Sequence, residues 1–221
     1  MKNLLYWISF LLPWVLRRRL LVAVFGYRIH PTSYIGFAWV MPEQLIMGPH
    51  SEIGALTVCK GLKLLHLKEN AAIGKGNWIT GYPTREPRHF AHQVDRRPEL
   101  IVGEHSAITN RHLIDCTSSV AIGAFTTFAG YRSQILTHSI DLENSRQSSA
   151  PITVGDYCFI GTDCVLLGGT SLPDHSVLGA KSLLNKQYSE PYWLYAGNPA
   201  RPVKRLADNL GYFRRQVGFV N

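Results

Sequence analysis

VGDYCFIGTDCVLLGGTSLPDHSVLGAKSLL, residues 154–184, carries an apolar side chain at every sixth position: Val154, Ile160, Leu166, Leu172, Leu178 and Leu184. Each of the first five is followed four places later by a small residue: Cys158, Cys164, Thr170, Ser176 and Ser182. An amphipathic helix repeats about every 3.6 residues and a half-buried strand about every 2, so neither accounts for a beat of six. A unit with one large apolar and one small residue reads as one face of a parallel β-helix. Three such units close a triangular coil of about 18 residues. That sets Cys158 over Ser176 and Cys164 over Ser182, and stacks a core one coil at a time.

The same beat runs through the first half in Ile29, Ile35, Met41, Met47, Ile53, Cys59 and Leu65, and returns as Ile108, Ile114 and Val120. It is weaker there, because Trp39, Leu45 and Lys63 stand where a small residue is expected. Gly follows the periodic residue at Gly36, Gly48, Gly54, Gly74, Gly123, Gly155, Gly161 and Gly179. These positions are expected at corners, where Gly tolerates the positive φ of a sharp bend.

The chain has 221 residues, 46% hydrophobic and 17% charged, which suits one folded solenoid domain and argues against disorder. Lys plus Arg number 23 against 15 Asp plus Glu, a formal charge of +8, which favours anionic partners such as phosphorylated cofactors or lipid headgroups. The basic residues cluster in loops and termini without aromatics interleaved on a sheet face, so no nucleic-acid partner is expected. Cys59, Cys116, Cys158 and Cys164 form no CxxC pair and read as reduced core residues of a cytoplasmic protein.

Residues 1–28 form a separate N-terminal segment. An apolar, aromatic-rich run, Leu4 to Leu16, precedes Arg17, Arg18 and Arg19. Broken by Pro13, it falls short of the roughly 20 residues needed to span a bilayer, and it lacks the flanks of a signal peptide. Two readings stand: a helical cap on the open first coil, or an amphipathic segment, residues 4–27, lying peripherally at the inner face of the membrane. The β-helix proper is assigned to residues 29–187, and residues 188–221 to a C-terminal loop and short helix.

Two stretches leave the repeat, and loops on a rigid scaffold are where polar groups gather for chemistry. Residues 82–99 hold Arg85, Arg88, His89, His92, Arg96 and Arg97, a set suited to an anionic acceptor or to a plain solvated loop. Residues 138–151 read HSIDLENSRQSSAP, opening on His138 shortly after Ile135-Leu136 and rejoining the repeat at Ile152.

From His138 through APITVGDYCFIGTDCVLLGG to YAGNPARPVKRL, the sequence resembles the hexapeptide-repeat acyltransferases. It looks most like those of colanic acid and other exopolysaccharide biosynthesis, and more distantly like maltose, galactoside and serine acetyltransferases. The resemblance implies an all-β solenoid, a left-handed parallel β-helix, assembled as a homotrimer with acetyl-CoA in the groove between subunits. It implies an acetyl-CoA-dependent O-acetyltransferase acting on a saccharide hydroxyl, free or lipid-linked. The alternatives are an N-acetyltransferase acting on an amino sugar or other small amine, or a non-catalytic scaffold.

His138 before Pro151-Ile152-Thr153-Val154-Gly155 matches the family's catalytic histidine. A hydroxyl is a poor nucleophile at neutral pH, so attack on a thioester needs a base titrating near ambient pH. Asp141 and Glu143 are the carboxylates considered for orienting the ring. A backbone N–H on a nearby coil is expected to hold the oxyanion. The resemblance also implies cofactor roles for Gly161, Thr162 and Ala180 along pantetheine, for Asn185 and Lys186 near the nucleotide, and for Arg201 and Lys204 at the phosphates. Asn110 and Asp115 are its acceptor-binding residues, with Trp78 and Tyr131 available to stack on a sugar. No metal is expected, because His105, His112 and His138 do not reproduce the three-histidine zinc pattern of γ-type carbonic anhydrases.

Overall fold

The computed structural model describes residues 2–84, 89–218 and 220; Arg85 and Arg88 lie outside them. Among the described residues, short strands stack into three parallel faces of seven, nine and seven strands. The first face runs from Arg28–Ile29 to Ser171–Leu172, the second from Tyr34–Ile35 to Ala200–Arg205, and the third from Trp39–Met41 to Leu183–Leu184. The chain visits them in turn, so strands pair in parallel with their counterparts one coil away, except Ala200–Arg205, which closes the second face antiparallel to Trp193–Gly197.

Phe159 pairs with Val177 and Val165 with Leu183, which puts Cys158 over Ser176 and Cys164 over Ser182 as the period requires. The inward columns are buried: Met47, Leu67, Val102, Ile122, Val154 and Leu172 on the first face, with Ile160 and Leu178 on the second and Leu166 and Leu184 on the third. Each such side chain stabilises the stack by roughly 1.5–3 kcal/mol. The beat slips early, where Val40 rather than Met41 points inward, because Val40 pairs with Cys59, 19 residues on, one more than the coil of about 18 residues.

The small residues are small because they form hydrogen-bond ladders at the corners. Ser106 Oγ accepts from the Thr126 N–H and donates to the Gly123 carbonyl, and Thr126 Oγ1 repeats the pattern with Cys158 N–H and the Gly155 carbonyl. The glycines differ from expectation. None of the eight named above has positive φ; that conformation falls on non-glycine residues such as His50, Leu56, His105, Tyr157 and Asp163. The glycines are required instead by close stacking, since a Cβ at Gly161 would lie 2.5 Å from the Ala180 nitrogen.

Two helices, α1 (Lys2–Ser9) and α2 (Trp14–Phe25), lie over the first coil. The buried Arg17 guanidinium donates to the carbonyls of Gly36 (2.7 Å) and Ala38 (3.2 Å), and Tyr6 Oη accepts from the Val40 N–H while donating to the Ala38 carbonyl. At the other end the C-terminal segment is not the loop expected. Trp193–Gly197 and Ala200–Arg205 extend the second face, with Tyr195 filling the inward position beyond Leu178, before a short 3-10 helix, Gly211–Arg214.

Candidate active site

Both excursions leave the coil at one corner, between the third and first faces. The first leaves after Trp78–Thr80 and returns at Glu99–Val102; the second leaves after Gln134–Leu136 and returns at Ile152–Val154. The second is an antiparallel hairpin of His138–Asp141 and Arg146–Ser149. The two are tied together by Gln93, whose Nε2 donates to the Ser149 carbonyl (2.8 Å) and whose Oε1 accepts from the Ser149 N–H (3.0 Å) and hydroxyl (2.8 Å).

His138 stands where the hairpin begins, its side chain 37% exposed, with Nδ1 2.9 Å from Asp115 Oδ2. Asp115 ends the third-face strand one coil earlier, paired with Leu136. Its carboxylate, 8% exposed, also accepts from the backbone N–H of His138 (3.0 Å) and Thr137 (2.9 Å) and from the hydroxyls of Thr137 and Thr117 (each 2.6 Å). Burial pushes the Asp115 carboxyl up, but the hydrogen bonds from His138, Thr117 and Thr137 outweigh it and hold it down to about 2. An ionised carboxylate only accepts, so Nδ1 carries its proton and Nε2 presents a lone pair. The hydrogen bond to Asp115 raises the His138 pKa above its ordinary value, opposed by partial burial and by the nearby Arg96 charge.

Arg96 holds the first excursion in place. Its buried guanidinium donates to the carbonyls of Tyr82 (2.6 Å), Thr117 (2.7 Å) and Pro83 (3.2 Å), and lies 4.5 Å from the centre of the Phe90 ring. Phe90 in turn meets the His138 ring edge-on at 6.2 Å.

The structure therefore corrects two expectations. Asp115, expected among the acceptor-binding residues, is instead buried, its carboxylate engaged by His138 and the two threonines. Asp141 does not orient the ring: it sits on the opposite face of the hairpin and binds Asn144 and Arg146. Glu143 is exposed near the hairpin tip. The Asp115 contact was hidden because the partners are 23 residues apart, one coil of the solenoid, and only the register between coils brings them together.

The remaining site residues do not converge on His138 within one protomer. Asn110, Gly161, Thr162 and Ala180 line the corner between the second and third faces, at least a strand's length away, roughly 10 Å for three residues. There Asn110 Oδ1 accepts from the Lys75 N–H (2.7 Å), and Thr162 Oγ1 bonds the Tyr131 N–H and carbonyl (each 3.0 Å). Arg111, Tyr131, Arg132, Thr162, Asp163 and Lys181 border a groove of about 410 Å³ at this corner. Arg201 and Lys204 are exposed on the last strand of the second face, while Asn185 and Lys186 follow the last third-face strand, at the corner His138 uses. Trp78 is half exposed, with Lys60 Nζ 5.4 Å from its ring.

His105, His112 and His138 occupy three different corners. His112 is buried, its Nδ1 accepting from the Ser133 N–H and its Nε2 paired with Thr109 Oγ1, and burial pushes its pKa down to about 4. His105 stacks on Phe125 at 4.8 Å. Among the described residues no group of three or more His, Cys, Asp or Glu is placed to hold a metal ion.

No family model matches the chain. It is similar to the chloramphenicol acetyltransferase of Agrobacterium fabrum, 23% identical over 154 residues that cover 63% of this chain and 69% of that protein. It is 35% identical to the galactoside O-acetyltransferase of Escherichia coli over 66 residues, 30% of this chain, and so spans about a third (32%) of that relative's length. Among solved structures it resembles a hexapeptide-repeat acetyltransferase of Vibrio cholerae complexed with acetyl coenzyme A (TM-score 0.53, 22% identity, 65% of this chain and 72% of that one). It also resembles the polysialic acid O-acetyltransferase OatWY (TM-score 0.60, 18% identity, 86% and 90%). The architecture common to these structures and this chain is the left-handed parallel β-helix.

Proposed function

We propose that the chain is a hexapeptide-repeat acyltransferase, an acetyl-CoA-dependent O-acetyltransferase that acts on a saccharide hydroxyl. The observation that carries this reading is the His138–Asp115 pair: a half-exposed imidazole whose Nδ1–H is held by a buried carboxylate and whose Nε2 is left to accept a proton. The names of the relatives support it, since all four are acetyltransferases and two are named for saccharide acceptors, a galactoside and polysialic acid.

Acetyl-CoA would supply a thioester carbonyl as the electrophile. His138 Nε2 takes the proton of the acceptor hydroxyl as its oxygen attacks, the Asp115 carboxylate stabilises the imidazolium so formed, and Nε2–H then returns that proton to the departing sulfur. Positioned base catalysis of this kind contributes about 10²–10⁴-fold.

The second corner suits a phosphorylated, extended ligand. Thr162 and Ala180 are exposed and small, Arg111, Arg132 and Lys181 are cations on the same corner, and Arg201 and Lys204 continue the charge beyond Ala180. Because that corner and His138 lie on opposite sides of the third face, a site that uses both is completed between copies, which favours the homotrimer.

We further place the acceptor among cell-surface glycans, with the enzyme held at a membrane surface. Residues 1–42 contain no acidic residue, and the two helices, the turn between them and the neighbouring corner of the first coil expose Leu4, Trp7, Leu11, Val15 and Phe37, with Arg19 also exposed. Among the described residues no helix is long and apolar enough to cross a membrane. Retained binding to anionic liposomes after deletion of residues 2–24 would eliminate this role.

The test of the enzymatic reading is thiol release from acetyl-CoA over a panel of galactosides, sialic acid oligomers, nucleotide sugars, polysaccharide repeat units and amino sugars. Transfer to a hydroxyl is expected, falling about 10²–10⁴-fold in His138→Ala. Undiminished transfer by that variant, correctly folded, ends the assignment, and transfer to none of the panel favours a scaffold.

A further inference from the structure

The two excursions enclose a cleft of about 420 Å³, bordered by His89, Phe90 and His92 on one side and by Ile140, Arg146 and Gln147 on the other. Its position relative to His138 follows from the hairpin's register. His138 pairs with Ser149 and Ile140 with Gln147, and in an antiparallel ladder directly opposed residues share a face while neighbours alternate. His138, Ile140, Gln147 and Ser149 therefore occupy one face. Ser149 is engaged by Gln93, and Phe90 both borders the cleft and touches the His138 ring. The cleft thus lies on the same side of the hairpin as His138, with Phe90 between the two.

We propose that this cleft is the acceptor site and that it takes a hydroxyl-rich ring, a saccharide residue, with its reacting hydroxyl at His138. This rests on the transfer reaction proposed above, and it moves acceptor recognition away from Asn110 and Asp115. The lining has the two kinds of surface that a sugar requires. The exposed Ile140 side chain offers an apolar contact for ring C–H groups, while His89, His92 and Gln147 offer hydrogen bonds to hydroxyls. The volume sits toward the small end of ligand sites, typically about 300–1,000 Å³. Both walls are held before any ligand arrives, one by Arg96 on the corner carbonyls and the other by Gln93 on Ser149, so little order has to be gained on binding.

Ile140→Trp, which fills the cleft, and Gln147→Ala, which removes one of its amides, separate this assignment from the reaction it rests on. The probe is the best acceptor found in the thiol-release panel, compared with acetyl-CoA in steady-state kinetics, and Leu142→Ala at the hairpin tip serves as control. Both cleft variants should raise the acceptor KM about tenfold or more while leaving the acetyl-CoA KM and its thermal upshift unchanged. An unaltered acceptor KM in both variants, with transfer intact, overturns the cleft assignment alone. A parallel rise in the acetyl-CoA KM assigns the cleft to the donor and also overturns it. Transfer to no panel member removes the enzymatic reading and this assignment together.

Discussion

One oxygen, Asp115 Oδ2, accepts hydrogen bonds from both the backbone N–H (3.0 Å) and the ring Nδ1 (2.9 Å) of His138, so a single buried carboxylate fixes the residue and its imidazole together. Thr137 and Thr117 hold that carboxylate from two further directions.

Asp115→Asn should therefore damage catalysis by more than a lost charge. An amide at 115 can donate to Nδ1 and thereby move the ring proton to Nε2, leaving no base facing the acceptor, and the rate should fall about 100-fold or more. The pH profile gives a second readout. The base works neutral, and because Asp115 raises its pKa, the wild-type acidic limb of kcat/KM should lie above about 6.5. In the variant, burial and the Arg96 charge remain, so the limb should move below that value. An unmoved limb would mean that another group is titrating.

His112 predicts how stability depends on pH. Its folded pKa is pushed down to about 4, below the unfolded value, so protons bind the unfolded chain first. Stability should fall as pH drops from about 6.5 to 4, by about 3 kcal/mol at 1.36 kcal/mol per unit. Urea unfolding across that range should show the loss in wild type and a flatter curve in His112→Gln. Asp115 acts in a separate window, contributing stability above about 4 that is lost as pH approaches 2.

Gly161→Ala tests whether the corner glycine serves coil stacking. Its Cβ would lie 2.5 Å from the Ala180 nitrogen, a backbone atom that cannot rotate away, and overpacking of this kind costs about 1–3 kcal/mol. Gly211→Ala meets nothing within 4 Å and serves as the neutral comparison. Equal unfolding midpoints for the two variants would refute the stacking explanation.

Arg17→Met keeps the apolar stem but removes the donors to the Gly36 and Ala38 carbonyls at the open edge of the first coil. Charged hydrogen bonds are worth about 1.5–3 kcal/mol each, so α1 and α2 should loosen. Faster amide exchange is expected at Val40, whose N–H bonds Tyr6 Oη. Exchange as slow as in wild type would show that the helices are held by packing alone.

The solenoid was legible in the chain because its period is local: Leu166, Leu172, Leu178 and Leu184 announce a six-residue beat that their burial then obeys. The glycines are equally visible in the sequence, but positive φ is not the reason for them. Their Cβ clashes arise between coils, whereas positive φ fell on residues such as Asp163 and Lys181, two places further on.

His138 stands out in the sequence because it opens a break in the repeat, and its candidate role comes from the resemblance of that junction, before Pro151-Ile152-Thr153-Val154-Gly155, to the hexapeptide-repeat acyltransferases. Its partner does not. Asp141 and Glu143 stand close in sequence, yet alternation along the hairpin turns Asp141 to the other face, and the stacking of one coil on the next delivers Asp115 instead. In the same way, Gln93 and Ser149 lie 56 residues apart and meet only because both excursions leave from one corner. Short-range periodicity thus determined the spiral and the point where it breaks, while contacts perpendicular to the chain, set by inter-coil register, decided what surrounds His138.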